Sequence, residues 1–126
     1  ERAAAFVRRP VFTRVTIEIL PGVSPKVVGF GSTSLVPVAL LAGPGFSPRL
    51  LEGGDVRLAG AHLVETPRHQ MGIYQDVNGD GKLDLVLRFR PADMNVMPGD
   101  ATLTLEGTAL AGDLVRGTGS VQVLVQ

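Results

Sequence analysis

The chain contains no cysteine. That absence excludes disulfide frameworks, zinc–thiolate sites and cysteine nucleophiles together. It leaves the compartment open, because an oxidising exterior permits disulfides without requiring them. Tryptophan is also absent and tyrosine occurs once, at Tyr74, so the aromatic platform of a sugar-binding face is missing. Neither sign of charge is in excess: Lys plus Arg and Asp plus Glu number 12 each. A neutral chain offers no field for nucleic acid or for an anionic membrane, and the local Arg8, Arg9 and Arg14 patch reads as a solvated strand face. No apolar run approaches the roughly 18 residues that span a bilayer; the longest, Leu35 to Ala42, is interrupted by Pro37. Catalytic signatures are lacking as well. Ser32, Ser34, Ser47 and Ser120 sit in no G-x-S-x-G elbow, and His62 and His69 fall in no metal or catalytic spacing. Asp93 and Asp100 form no convincing glycosidase pair, so an enzyme is not expected.

A length of 126 residues fits one domain. Hydrophobic residues make up 44% and charged residues 19%, which argues against disorder. The 16 glycines and 9 prolines argue for many turns, and no helical period persists beyond about ten residues. Alternating stretches read as strands at Val11–Leu20, Asp55–Gly60, Leu83–Arg90, Ala101–Glu106 and Ser120–Gln126. Shorter or fully apolar stretches read the same way at Lys26–Phe30, Leu35–Leu41 and Ala61–Glu65. Pro37 points to an edge strand or a bulge at its position. Met94 and Met97 read as fillers of core gaps. About eight short strands separated by turns predict an all-β fold, an antiparallel two-sheet β-sandwich, over residues 11–126. Residues 1–10 stand apart as an N-terminal arm, apolar from Ala3 to Val7 and then broken by Arg8-Arg9-Pro10.

Oxygen ligands concentrate in Asp76-Val77-Asn78-Gly79-Asp80-Gly81-Lys82-Leu83-Asp84. Hard cations take about six to eight oxygens, and alternate side chains of a tight loop can supply most of them. Asp76, Asn78 and Asp80 fall at positions 1, 3 and 5 of a calcium loop, and Gly81 falls at position 6, where the chain must turn with positive φ. The Lys82 carbonyl at position 7 and Asp84 at position 9, directly or through a water, complete the predicted metal ligands for Ca²⁺. Leu87 stands at position 12 where an EF-hand needs Glu, so the loop leads into a strand. Any further ligand must come from elsewhere, with Glu18, Glu65, Asp93 and Asp100 as unranked candidates. Asn78-Gly79 and Asp80-Gly81 are also strong turn dipeptides. A plain turn, however, does not repeat a carboxylate or amide at every second position.

Three pieces carry a family resemblance: Ile17-Glu18-Ile19-Leu20-Pro21-Gly22, Leu35-Val36-Pro37-Val38-Ala39-Leu40-Leu41, and Gln75 to Arg90. Together they resemble a calcium-binding β-domain of secreted and cell-surface bacterial proteins. That family shows I-D-I-K-P-G, V-I-P-V-A-I-L and E-D-V-N-G-D-G-x-x-D-L-V-x-x-F-R in this order. The loop alone is also similar to dockerin and FG-GAP repeats, which normally carry a second copy. Glu18 and Leu20 depart from the family's Asp and Lys. The resemblance implies a non-catalytic, secreted or cell-surface module whose fold depends on calcium. Glu1 in place of Met fits a processed chain, with a signal peptide removed.

The leading expectation is a structural subunit that assembles with copies of itself into a filament or surface layer, by donation of the arm to a sheet edge and by calcium bridging. The alternative is an accessory or adhesion module that binds a glycan.

Overall fold

The computed structural model describes residues 12–125. Eleven strands are present among them: β1 (Phe12–Arg14), β2 (Ile17–Ile19), β3 (Val27–Gly29), β4 (Val36–Leu40), β5 (Asp55–Leu58), β6 (Ala61–His62), β7 (Ile73–Gln75), β8 (Asp84–Phe89), β9 (Thr102–Thr108), β10 (Leu114–Ser120) and β11 (Gln122–Leu124). They form a five-stranded sheet ordered β1-β10-β9-β5-β6, a four-stranded sheet ordered β2-β4-β8-β7, and a small β11-β3 pair. The pairings within the two main sheets are antiparallel, except that β1 runs parallel to β10. β3 and β11 are also parallel. The chain is therefore an all-β two-sheet sandwich. The proposed arm, residues 1–10, lies outside the described residues.

Period-two alternation places the core. Ile17 and Ile19 of β2, Val38 and Leu40 of β4, and Leu85, Leu87 and Phe89 of β8 face inward from one sheet. Val56 and Leu58 of β5, Leu103 and Leu105 of β9, and Val115 of β10 meet them from the other. Each such side chain contributes about 1.5–3 kcal/mol on burial, so this layer is the main source of stability. Leu51, from the 3₁₀ turn Pro48–Leu51, closes the core and is fully buried.

The single strand expected over Val11–Leu20 is instead two strands in different sheets. β1 pairs with β10, the Val15 N–H donates to the Arg116 carbonyl at 2.9 Å, and the next residue has changed sheets, its carbonyl accepting the Leu41 N–H at 2.9 Å. Glycine on β10 permits this crossing. A Cβ on Gly117 would lie 2.6 Å from the Val15 carbonyl oxygen, closer than real Cβ atoms approach.

Pro37 also departs from expectation, for β4 is a central strand between β2 and β8. Its position opposite Leu20 explains the tolerance. The Leu20 N–H donates to the Pro37 carbonyl at 2.9 Å, while the Leu20 carbonyl, left without a proline N–H, accepts from Lys26 Nζ at 2.9 Å and the Val23 N–H at 3.0 Å. Met97, expected to fill a core gap, is exposed, as are Leu83 and Val125 near the ends of predicted strands. Each lies just outside a strand or in the 91–100 connection, where no facing sheet covers it. Met94 is buried as expected.

Candidate metal centre

The Asp-rich loop is the connection of the β7–β8 hairpin. Gln75 pairs with Asp84 in the last rung of that antiparallel ladder, and residues 76–83 bridge it. Gly79 and Gly81 both take positive φ, 76° and 83°, conformations that a Cβ would oppose. Leu87, the position where an EF-hand would place its closing glutamate, is buried in β8.

Asp76 organises the loop. Its Oδ1 accepts the Gly79 N–H at 2.9 Å and its Oδ2 accepts the Gly81 N–H at 2.8 Å. Asn78 Oδ1 accepts the Asp80 N–H at 3.3 Å, and Asp80 Oδ1 accepts the Lys82 N–H at 2.9 Å. These local bonds are what Asn and Asp side chains make in tight turns. The Gly81 N–H outweighs the opposing effect of desolvation and, with a lesser contribution from the Gly79 N–H, holds the Asp76 carboxyl below the usual carboxylate range. Asp76 is thus an anion at neutral pH.

Asp84 is different in kind. It opens β8, is wholly buried, and its Oδ1 accepts the Ala42 N–H at 2.7 Å while Oδ2 accepts the Val77 N–H at 3.1 Å. One carboxylate therefore ties the loop to the segment that follows β4, 42 residues away. A buried charge needs such partners, and a cation would serve it further.

One carboxylate oxygen each from Asp76, Asp80 and Asp84 lies within 4.8 Å of the other two. Ligand oxygens about 2.3–2.6 Å from a common calcium ion span up to about 5 Å, so this group of three can hold a metal ion. Each carboxylate retains acceptor capacity beyond its N–H bonds, since an ionised carboxylate offers about four lone-pair sites. Asn78 and Lys82 lie exposed in the same loop, with the Asn78 side-chain oxygen turned to the Asp80 N–H.

The other acidic candidates belong to other clusters. Glu18 pairs with Lys26 at 3.4 Å and Asp93 with Arg90 at 3.4 Å. Asp100 accepts the Met97 N–H at 2.9 Å, and Glu65 faces His69 at 3.8 Å. His62 is exposed beside Asp55 at 3.4 Å. Sequence reasoning missed Ala42 and Val77, which act through backbone N–H groups and leave no side-chain signal. It also missed the flank of the loop. There Tyr74 O–H donates to Glu52 Oε1 at 2.9 Å and Arg49 stacks on the Tyr74 ring at 4.5 Å. Partial burial, then the bond to Glu52, pushes the Tyr74 pKa up to about 12.

No protein-family model and no curated protein matches the chain. Among solved structures it is similar to a bacterial immunoglobulin-like domain from the M. primoryensis ice-binding adhesin, at 21% identity and a TM-score of 0.41, over 90% of this chain and 99% of that one. It is also similar to a chain from a study of host cell surface retention of a 1.5-MDa bacterial ice-binding adhesin, at 20% identity and a TM-score of 0.40. That match covers 88% of this chain and 32% of the other. Among the described residues no helix is long and apolar enough to cross a membrane.

Proposed function

We propose that this chain is a non-catalytic structural module of the bacterial exterior, a β-sandwich stapled by calcium at the β7–β8 loop. The observation that carries the proposal is the convergence of Asp76, Asp80 and Asp84 oxygens within 4.8 Å, with the buried Asp84 anchored to Ala42 and Val77. Asp76, Asn78, Asp80, the Lys82 carbonyl and Asp84 would hold the ion, and water or another chain would supply the rest. Bound there, calcium would supply charge neutralisation and cross-linking. The side chains themselves set the turn and tie it to the strand edge. Extracellular calcium modules work at dissociation constants of about 10⁻⁴–10⁻³ M, a range that suits a loop with no closing glutamate.

Self-assembly belongs to the same proposal. β1 lies on the outer edge of the five-stranded sheet with Phe12, Thr13 and Arg14 all exposed, and sheet edges accept added strands. This placement supports an arm that joins neighbouring copies.

Titration calorimetry on the full chain tests the ion, with heat on adding calcium expected and none in the Asp80→Ala variant. Silence in the native chain would overturn the metal assignment. Light scattering and negative-stain microscopy, in calcium and after chelation, test assembly. Ordered polymers that dissolve on chelation are expected; a monomer in both conditions would reject assembly and favour the accessory, glycan-binding reading.

A further inference from the structure

Asn78 is followed by Gly79, is exposed, and sits in the middle of the loop. An asparagine loses its amide when the next residue's backbone nitrogen attacks its side-chain carbonyl carbon. The Cγ–Nδ2 bond breaks, ammonia leaves with the proton from that nitrogen, and a five-membered imide closes. Water then opens the imide on either side, giving aspartate or its backbone-lengthened isomer. Steric freedom at the following residue governs the attack. Gly79 has no Cβ, and even one placed there would meet nothing within 4 Å.

The chain carries its own control. Its other asparagine, Asn95, precedes the β-branched Val96, and the Asn95 side chain packs over Gly60, where a Cβ would come within 2.6 Å of Nδ2.

Two bonds restrain the reacting groups at Asn78. The attacking N–H of Gly79 is held by Asp76 Oδ1 at 2.9 Å, and the Asn78 side-chain oxygen is held more loosely by the Asp80 N–H at 3.3 Å. A metal ion on Asp76 and Asn78 would fix both further. From this geometry we infer that Asn78–Gly79 is a deamidation site gated by the ion, so that the loop keeps a one-way record of time spent without calcium. The gating rests on the calcium reading above; the site itself does not. Conversion to the isomer adds a methylene to the backbone between positions 3 and 4 of the loop. That insertion breaks the alternate spacing that brings Asp76 and Asp80 together.

The test is incubation of the full chain at mildly alkaline pH, with chelator or with calcium, followed by peptide mass spectrometry of residues 78 and 95. In chelator, Asn78 should convert at least about tenfold faster than Asn95, a barrier difference of about 1.4 kcal/mol. Comparable rates would overturn the site. Calcium should slow Asn78 severalfold and leave Asn95 unchanged. If calorimetry shows calcium bound while Asn78 converts at the same rate, the gating is wrong. If calcium does not bind, the gating falls with the reading it rests on, and the chelator arm still decides the site. Asp76→Ala should speed conversion at Asn78 by freeing the Gly79 N–H, with an unchanged Asn95 rate showing that the fold persists. No acceleration would overturn the restraint assigned to Asp76.

Discussion

Asp80 and Asp84 supply the same chemical group to one loop, yet only the removal of Asp84 should cost stability when calcium is absent. Asp84 is wholly buried and satisfies the Ala42 and Val77 N–H groups at 2.7 and 3.1 Å. Hydrogen bonds to a charged group contribute about 1.5–3 kcal/mol each. Both donors are only half-buried, so water can replace part of the loss, and Asp84→Ala should cost about 3 kcal/mol, the lower end of the range. Against a typical stability of about 5–15 kcal/mol, that is a large fraction, and it should appear even in chelator. Asp80 is exposed and its side chain bonds only the Lys82 N–H within the loop, so Asp80→Ala should be nearly silent in chelator. In calcium at about 10 mM, ten- to a hundredfold over an extracellular-type dissociation constant, the native chain should gain about 1.4–2.7 kcal/mol by mass action. At about 4 °C per kcal/mol for a domain of this size, the gain is a rise of about 6–11 °C in Tm. Asp80→Ala should abolish that rise without lowering the baseline. Urea unfolding of the three proteins with and without calcium reads both effects from the midpoint at constant slope. An Asp84→Ala chain within about 0.5 kcal/mol of native in chelator, the scale of an ordinary surface change, would refute the anchoring. An Asp80→Ala chain that differs from native by the same amount in chelator as in calcium would refute the ion.

Other changes probe the frame that holds the loop. Leu87→Ala should cost about 2–5 kcal/mol, because the fully buried side chain leaves a cavity between the two sheets; denaturant midpoints measure it. Gly117→Ala should cost about 1–3 kcal/mol or more from overpacking, because the new Cβ meets a backbone oxygen 2.6 Å away and no rotamer can relieve the contact. Its proton spectrum should show shifts at Val15 and Thr16 above all. The Tyr74 hydroxyl, with its pKa raised from 10.0 to about 12, favours the folded state while it is protonated. Its contribution is present below pH 10 and is lost as pH rises through about 12, so Tyr74→Phe should flatten the fall of stability across that window in an alkaline unfolding series.

The sandwich and the loop were legible because both are written in local patterns. Leu85, Leu87 and Phe89 alternate with period two, and the structure buries all three; Asp76, Asn78 and Asp80 alternate too, and the hairpin connection sits where they fall. What escaped depends on distant segments. Nothing between Val11 and Leu20 marks the point at which the chain changes sheets, since the cause is the bare Gly117 surface about a hundred residues on. Pro37 carries no local sign that Lys26 serves the Leu20 carbonyl its missing N–H leaves open, so its sequence reads as an edge or a bulge. Asp84 was expected at position 9 of the loop; it opens β8, and its tie to Ala42 is long-range and uses only a backbone N–H.

The parallel run of β1 beside β10 has a mechanical consequence. The chain enters the five-stranded sheet along β1 and leaves through β11, which follows β10 directly. A pull on the two ends therefore drags β1 one way along its axis and β10 the other. The bonds between them, including that from the Val15 N–H to the Arg116 carbonyl, are strained together in shear and cannot open one after another like a zip. Because the next few residues are already woven into the opposite sheet, the same tension is handed across the sandwich at Thr16. A module so threaded resists stretching along its length far better than peeling at its edge.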